Sequence, residues 1–277
     1  MNNDLRILSL LPAATEMVYL LGLEKYLVGV SSDCDYPPQV KRILKVTSSI
    51  ISNAMSSLQI DQAVKSLVHR GSGVFHIDQE KLKKLKPNLI LTQELCEVCA
   101  VGFNQVKKAA RILDGEVKIV SLEPESMEDI LSNIRVVGEF GGKEKEAVRV
   151  VRELRERIEK ISSRIHSNNK PKVCVVEWLD PLMVAGHWVP EMVEVVGGIN
   201  LVTRKGERSN NLIMKQLQQL NPDILIISPC GFDIQRTLKE RKLIVRVLRE
   251  FGAVRGGVYL VDGNSYMTRP GQGLLME

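Results

Sequence analysis

The sequence has no long hydrophobic run. No stretch of its 277 residues approaches the roughly 18 apolar residues of a membrane-spanning helix. A strand pattern begins near Arg6, so the first residues leave no room for the basic start and apolar core of a secretory signal. We therefore expect a cytoplasmic protein that is not membrane-embedded. A mature secreted protein given a new initiator Met would look the same, and it would be extracytoplasmic.

The chain has only a small excess of charge of one sign, and few aromatic residues. The chain has 38 basic and 33 acidic residues, a formal charge of +5, and no basic run interleaved with aromatics. This pattern argues against a nucleic-acid partner. Hydrophobic residues (44%) and charged residues (26%) have the proportions of an ordinary globular protein. Aromatics make up only 4%, which makes the placement of both tryptophans, Trp178 and Trp188, within one short segment informative.

Cysteines are few, and their count is odd. The five are Cys34, Cys96, Cys99, Cys174 and Cys230, which argues against a disulfide framework in a chain of this size. Cys174 lies in an apolar strand and is best interpreted as a core residue. Cys96 and Cys99 form a Cys-x-x-Cys after a strand, and this pair has three interpretations: a redox pair, half of a zinc site, or two buried thiols that pack a turn. Packing is preferred, and ligation of a metal-bearing guest comes second.

One tract occurs twice. Residues 85–93, Leu-Lys-Pro-Asn-Leu-Ile-Leu-Thr-Gln, return as residues 220–228, Leu-Asn-Pro-Asp-Ile-Leu-Ile-Ile-Ser. Each copy follows a short amphipathic helix pattern, Asp78 to Leu85 in the first and Asn210 to Leu220 in the second. The repeat predicts two α/β lobes whose strand ends face each other across a groove, which is a common place for a small ligand.

Alternating strands and helices predict an α/β fold: two similar lobes with mainly parallel sheets, joined by a single long backbone helix. That helix is predicted from Lys143 to Ile165, about 35 Å long. We interpret it as a strut between lobes; an amphipathic surface helix or a coiled-coil seam are the alternatives. The predicted domains are an N-terminal lobe (1–125), connecting helices (126–168) and a C-terminal lobe (169–277). The last lobe is expected to have a helix from Asp233 to Phe251 and no closing helix after Asp262.

Several motifs resemble those of the cobalamin-binding substrate-binding proteins of ABC importers, and in particular of their leaderless cytoplasmic-type relatives. The motifs that carry the resemblance occur in residues 6–18, 28–38, 91–101, 177–181, 186–188, 229–233 and 262–266. The resemblance covers almost the whole chain. It implies two lobes with little hinge motion and a corrinoid or another metal macrocycle held between them.

The chain also departs from this family. Importer-bound members present one carboxylate from each lobe to arginines of the permease. Glu80 stands at the first position, but Lys215 stands at the second, so docking to an ABC permease through the paired contact is in doubt. Ser49 and Gln93 stand near positions where secreted cobalamin binders carry pocket tryptophans. Members usually continue past Arg269-Pro-Gly271 into a closing helix.

A flat macrocycle needs aromatic faces for its ring and polar groups for its rim. The candidate ring contacts lie in predicted loops or at strand ends. They are Tyr36, Trp178, Trp188 and Tyr266. One tryptophan could instead plug the base of the groove.

Polar candidates for the rim and the metal complete the predicted site. Asp33, Asp35 and Gln93 would meet the rim, although the two aspartates are also explained by a turn alone. Cys96 is a further candidate contact. The neutral imidazole of His187 is an axial ligand candidate for a cobalt or iron in the guest, against the commoner role of a hydrogen-bonding loop residue. No metal site formed by the protein alone is predicted.

These observations predict non-catalytic binding of cobalamin or a related corrinoid, for uptake, carriage or sensing, with no cofactor required. One alternative is a binder of ferric siderophore or haem, although the loops offer few converging basic residues. Another is a redox enzyme that uses Cys96 and Cys99 on a metal-bearing cofactor.

Overall fold

The structure is a computed structural model. It describes residues 4–52, 54–69, 73–93, 101–113, 115–165, 169–213, 216, 219–251 and 254–271. The chain divides into two compact units. Unit 1 comprises Met1–Ser52, Ala63–Glu123 and Asp129–Glu153, and unit 2 comprises Asn53–Gln62, Pro124–Glu128 and Leu154–Glu277. The domain boundaries taken from the sequence stay a prediction. Within the described residues, no helix has the length and apolarity needed to cross a membrane.

Unit 1 is built on a parallel sheet. Its strands are β1 (Ile7–Ser9), β2 (Leu27–Val30), β3 (Thr47–Ser49), β4 (Phe75–Ile77), β5 (Leu89–Thr92) and β6 (Lys118–Ser121). The sheet order is β2-β1-β5-β6, with every pair parallel, and β3 and β4 form a separate antiparallel pair. The helices that begin or end in this unit are α1 (Pro12–Leu20), α2 (Ser57–His69), α3 (Gln79–Leu85), α4 (Phe103–Ala110), α5 (Met127–Phe140) and α6 (Glu144–Ser162).

Unit 2 has a mixed sheet with a parallel centre. Its strands are β7 (Lys172–Leu179), β8 (Leu182–Val184), β9 (Ile199–Asn200), β10 (Asn210–Asn211), β11 (Ile224–Ile227) and β12 (Val258–Leu260). The order is β10-β8-β7-β11-β12, and β9 also pairs with β7. Strands β9, β7, β11 and β12 run parallel, whereas β8 is antiparallel to both of its neighbours, β7 and β10. Its helices are α7 (Val189–Val195), α8 (Ile234–Lys239) and α9 (Arg241–Phe251), and a π-helical turn spans Gly263–Met267.

The sequence repeat occupies equivalent places in the two sheets. Strand β5 lies between parallel neighbours β1 and β6, and β11 lies between β7 and β12. Each strand is preceded by a residue in the left-handed region, Lys86 (φ 44°) or Asn221 (φ 42°), directly before a proline. The left-handed residue ends one segment and the proline prevents a helix from continuing. The predicted α/β class with mainly parallel sheets is confirmed.

Two helix predictions were wrong in unit 2. The segment predicted as a helix from Asn210 begins instead as β10, because Asn210 and Asn211 pair with the backbone of β8. The helix predicted from Asp233 to Phe251 is two helices. Asp233 does cap the first, since its Oδ1 accepts from the Arg236 N–H at 2.6 Å. The break falls at Glu240, which is buried and whose carboxylate accepts the N–H of Ser57.

Candidate functional site

Each sheet has one place at which successive strands of the chain are added outward in opposite directions from two neighbouring strands. In unit 1, β1 leads to β2 on one side and β5 leads to β6 on the other, so the reversal lies between β1 and β5. In unit 2, the chain passes from β7 through β8 and α7 to the parallel strand β9 on one side of β7, and from β11 to β12 on the other, so the reversal lies between β7 and β11. Open α/β sheets bind ligands outside the carboxyl ends of the strands at such a switch point. The segments that follow these strands are therefore the candidate site.

A buried hydroxyl network fixes the carboxyl ends of β1 and β2. The Oγ1 of Thr15 lies 2.8 Å from the Oγ of Ser9 and 3.1 Å from the Sγ of Cys34. The Oγ of Ser31 lies 3.0 Å from the Oγ1 of Thr47. All five side chains are buried, so they tie α1, β3 and the loop after β2 into one rigid corner. Sequence reasoning missed this network, and hydroxyl residues at the ends of apolar strands were the signal for it.

The loop on this corner carries three predicted contacts. Asp33 and Asp35 are exposed, and Tyr36 is 40% exposed and precedes Pro37 through a cis peptide bond. Gln93 follows β5 and is buried. Cys34 is buried, and its Sγ lies 3.1 Å from the Oγ1 of Thr15.

Trp178 and Trp188 occupy different environments in unit 2. Trp178 is half-buried at the end of β7, its indole N–H donates to the carbonyl of Asp180 (3.1 Å), and its ring lies 5.2 Å from that of Phe232. Trp188 is buried, and its indole N–H donates to the carbonyl of Met267 (3.0 Å). Trp188 thus holds the π-helical turn in place. Tyr266, in that turn, is 38% exposed.

His187 is held in a left-handed conformation (φ 54°) by its backbone. Its N–H donates to the carbonyl of Glu207 (2.6 Å), and its own carbonyl accepts from Gly206 (3.0 Å). The preceding residue must be Gly186, because a Cβ there would lie 2.3 Å from the Glu207 carbonyl oxygen. Burial lowers the pKa of His187, Glu125 opposes this shift and Arg208 adds to it. A neutral imidazole is the form that coordinates a metal, and within the described residues its buried Nδ1 has no hydrogen-bond partner.

Glu177 is a carboxyl group that sequence reasoning did not single out. It precedes Trp178 in β7 and is half-buried. Burial raises the pKa of Glu177 to about 7, against the opposing hydrogen bond from Ser209. The Ser209 hydroxyl also accepts the N–H of Gly186 at 3.2 Å. Ser209 therefore links this carboxyl to the segment that carries His187.

The remaining predicted residues have separate places. Burial raises the pKa of Cys174 to about 12, which makes its thiol an inert core group. Glu80 stands in the first turn of α3 with its side chain 88% exposed. Cys96, Cys99 and Lys215 lie outside the described residues. In the described part of the chain, no group of three or more His, Cys, Asp or Glu could hold a metal ion.

The family model described as periplasmic binding protein matches residues 7–250. The chain belongs to the periplasmic binding protein family. The family is one of binding proteins, which does not favour the redox-enzyme alternative.

Curated relatives of this periplasmic binding protein match most of its length. An uncharacterized ABC transporter substrate-binding lipoprotein, YvrC of Bacillus subtilis, is 26% identical over 231 residues, which is 80% of this chain and 62% of the relative. The chain thus spans less than two thirds of that relative. A vitamin B12-binding protein of Vibrio cholerae is 23% identical over 232 residues, 80% of this chain and 70% of the relative.

Solved structures show the same fold. An ABC transporter substrate-binding protein from Listeria monocytogenes aligns with a TM-score of 0.71 at 19% identity, covering 98% of this chain and 94% of that one. The periplasmic heme-binding protein RhuT from Roseiflexus sp. aligns with a TM-score of 0.70 at 19% identity, covering 97% and 93%. These neighbours confirm the predicted fold class.

Proposed function

We propose that this protein binds cobalamin or a related corrinoid without catalysis, in the cleft predicted between its two lobes, for uptake, carriage or sensing. The observation that carries the proposal is the match of 80% of the chain to a vitamin B12-binding protein. It agrees with the family resemblance of the motifs at the strand ends.

The chemistry of the candidate segments supports an uncharged, amide-rich guest. Residues 31–37, 185–189, 228–233 and 262–268 contain no lysine or arginine. The carboxylates of a ferric siderophore or the propionates of haem would meet no basic side chain from these segments. Corrin side chains end in amides, which donate hydrogen bonds, and the exposed Asp33 and Asp35 carboxylates accept them. Exposed faces of Tyr36 and Tyr266 suit the apolar ring.

Haem is the second candidate, and His187 is the observation in its favour. Lowering of its pKa keeps the imidazole neutral near pH 7, which is the state that ligates iron. The similar structure RhuT is a periplasmic heme-binding protein. Haem would bind through this axial contact, and residues 31–37, 185–189, 228–233 and 262–268 would supply no basic partner for its propionates.

Titration of the purified protein with cyanocobalamin, cobinamide, haem and a ferric siderophore tests the proposal. We expect one corrinoid to bind one protein with a dissociation constant of about 1 μM or below, followed by its visible spectrum and by calorimetry. Haem should bind more weakly and should lose its Soret shift in His187→Ala. Absence of binding by every corrinoid would contradict the proposal, and preference for haem would select the second candidate.

Permease docking and cellular location stay predictions. The Glu80 side chain is 88% exposed, and its carboxylate lies 3.8 Å from the Lys83 ammonium. Cross-linking from this position in membranes that contain an importer would test the predicted permease contact. Cell fractionation of the native protein would test the predicted cytoplasmic location.

A further inference from the structure

Three side chains form a stack in unit 2. The rings of Trp178 and Phe232 have centroids 5.2 Å apart and planes inclined by 54°. The guanidinium carbon of Arg236 lies 3.9 Å from the centroid of the Phe232 ring. Phe232 is buried, whereas Trp178 is half-buried. A buried ring therefore contacts both a partly accessible tryptophan and a buried cation, which is a favourable cation–π arrangement.

The Arg236 side chain is itself fixed. Its Nη2 lies 3.0 Å from Oε1 of Glu240 and also donates to the carbonyl of Met55. Both members of this ion pair are buried. The same Glu240 oxygen accepts the N–H of Ser57 at 3.0 Å. The Arg236 guanidinium is thus the point at which contacts from helix α8, from the break after it and from the start of α2 meet.

A simple stabilising pair would not require this geometry. A buried ion pair contributes little net stability, because desolvation of the two charges offsets their attraction. A planar guanidinium, however, can stack on a ring while donating in its own plane to an oxygen, and lysine cannot do both. The arrangement therefore fixes the Phe232 ring from one side. The orientation of the Trp178 ring is then determined by two contacts, one with the Phe232 ring and one with the carbonyl of Asp180.

We propose that Arg236 is a positioning residue, which acts through Phe232 to hold the Trp178 ring in the orientation that meets the ligand. Glu240 and the backbone at Met55 and Ser57 hold Arg236 in turn. The ligand part of this inference rests on the proposed function. The orientation of Trp178 does not, because it is a property of the protein without ligand.

Substitutions at Arg236 test the inference with two readouts. Affinity for cyanocobalamin is measured in Arg236→Met, Arg236→Lys and Glu240→Gln. Fluorescence is measured in the same variants with Trp188→Phe, which leaves Trp178 as the single tryptophan of the chain. Arg246→Met is the matched control, since Arg246 is exposed on α9.

We expect Arg236→Met to raise acrylamide quenching of Trp178, to red-shift its emission, and to weaken cyanocobalamin binding about threefold to tenfold. Arg236→Lys should reproduce most of this loss, because it keeps the charge without the planar stack. Glu240→Gln should give a smaller change in the same direction, and it provides a milder variant if Arg236→Met does not fold. Arg246→Met should change neither readout.

A lower melting temperature in Arg236→Met or Glu240→Gln, with unchanged Trp178 emission, quenching and affinity, would overturn the proposal. The pair would then be structural only. If the wild-type protein binds no corrinoid, the proposed function fails, and the fluorescence of Trp178 alone still supports or overturns its positioning by Arg236.

Discussion

At the scale of single residues, burial of the Glu177 carboxyl makes stability depend on pH. Its pKa in the folded protein is about 7, above an ordinary value of 4.5, because burial disfavours the charged form. The folded state therefore binds this proton more tightly than the unfolded state does. The carboxyl costs no stability below about pH 4.5, and the cost grows until the pH exceeds about 7.

Glu177→Gln should remove this dependence. At pH 5 the variant and the wild type should differ little in free energy of unfolding, and at pH 8 the variant should be more stable by up to about 3 kcal/mol. Urea unfolding at the two pH values measures the difference. Glu139→Gln, at an exposed position, is the control. If the variant and the wild type differ in free energy of unfolding by the same amount at both pH values, the Glu177 carboxyl is not desolvated.

Gly186 gives a second prediction at this scale. A Cβ at this position would lie within 2.6 Å of three backbone atoms of residues 207–209, which cannot move away as a flexible side chain could. Gly186→Ala should lower the free energy of unfolding by about 3 kcal/mol or more. Gly206→Ala, in the adjacent segment, meets no atom within 4 Å and has φ +76°, so it should cost only about 1 kcal/mol. Equal costs in chemical denaturation would contradict this reasoning.

Residue environments were the least predictable part of the site. The sequence correctly placed Trp178 at a strand end and Tyr266 after the last strand. It could not show that Trp188 is buried, because its indole partner is the carbonyl of Met267, far along the chain. It also could not show that the Arg236 guanidinium stacks on the Phe232 ring, since a lone arginine in a helix pattern indicates an exposed side chain.

At the scale of elements, the repeat was predictable because its information is local. An apolar run after a proline fits a buried parallel strand wherever it occurs, and both copies form one. The segment after Asn210 was not predictable in this way. Its helical spacing competes with the free edge of β8, and edge pairing with Val184 and Met183 wins at Asn210 and Asn211.

The contact between α5 and α6 gives a prediction at this scale. A Cβ on Gly138 of α5 would lie 2.5 Å from the Cβ of Ala147 of α6. Gly138→Ala should therefore cost about 1–3 kcal/mol in free energy of unfolding. Ala147→Gly alone should cost about 1 kcal/mol through helix propensity.

The double variant should lose less free energy of unfolding than the sum of the two single losses, because the glycine at 147 makes room for the new methyl group. We expect a coupling energy of about 1 kcal/mol in a double-mutant cycle measured by urea unfolding. Recovery will be incomplete, since the new Cβ would still lie 3.2 Å from the carbonyl oxygen of Lys143. Strict additivity would show that the helices separate rather than clash.

At the scale of the whole molecule, the fold could be predicted and the guest could not. Hydrophobic periodicity and strand–helix alternation determine the two sheets, and solved structures at 19% identity share the fold. The identity of a ligand depends instead on a few side chains in the segments after different strands. Tyr36 follows β2 in unit 1 and Tyr266 follows β12 in unit 2. Because the two tyrosines belong to separate sequence motifs, no local pattern predicts whether they contact the same ligand.

Tyrosine substitutions test whether both units contribute to one ligand. Each exposed ring that stacks on a corrin should contribute about 1 kcal/mol, so Tyr36→Ala and Tyr266→Ala should each weaken cyanocobalamin binding about fivefold in calorimetric titration. Tyr259→Ala is the matched control, because this tyrosine is 52% exposed and lies in strand β12 rather than after it. If both substitutions weaken binding at unchanged one-to-one stoichiometry, one ligand meets side chains of both units. Weakening by only one of them would assign the ligand to a single unit and would contradict the cleft predicted from the sequence.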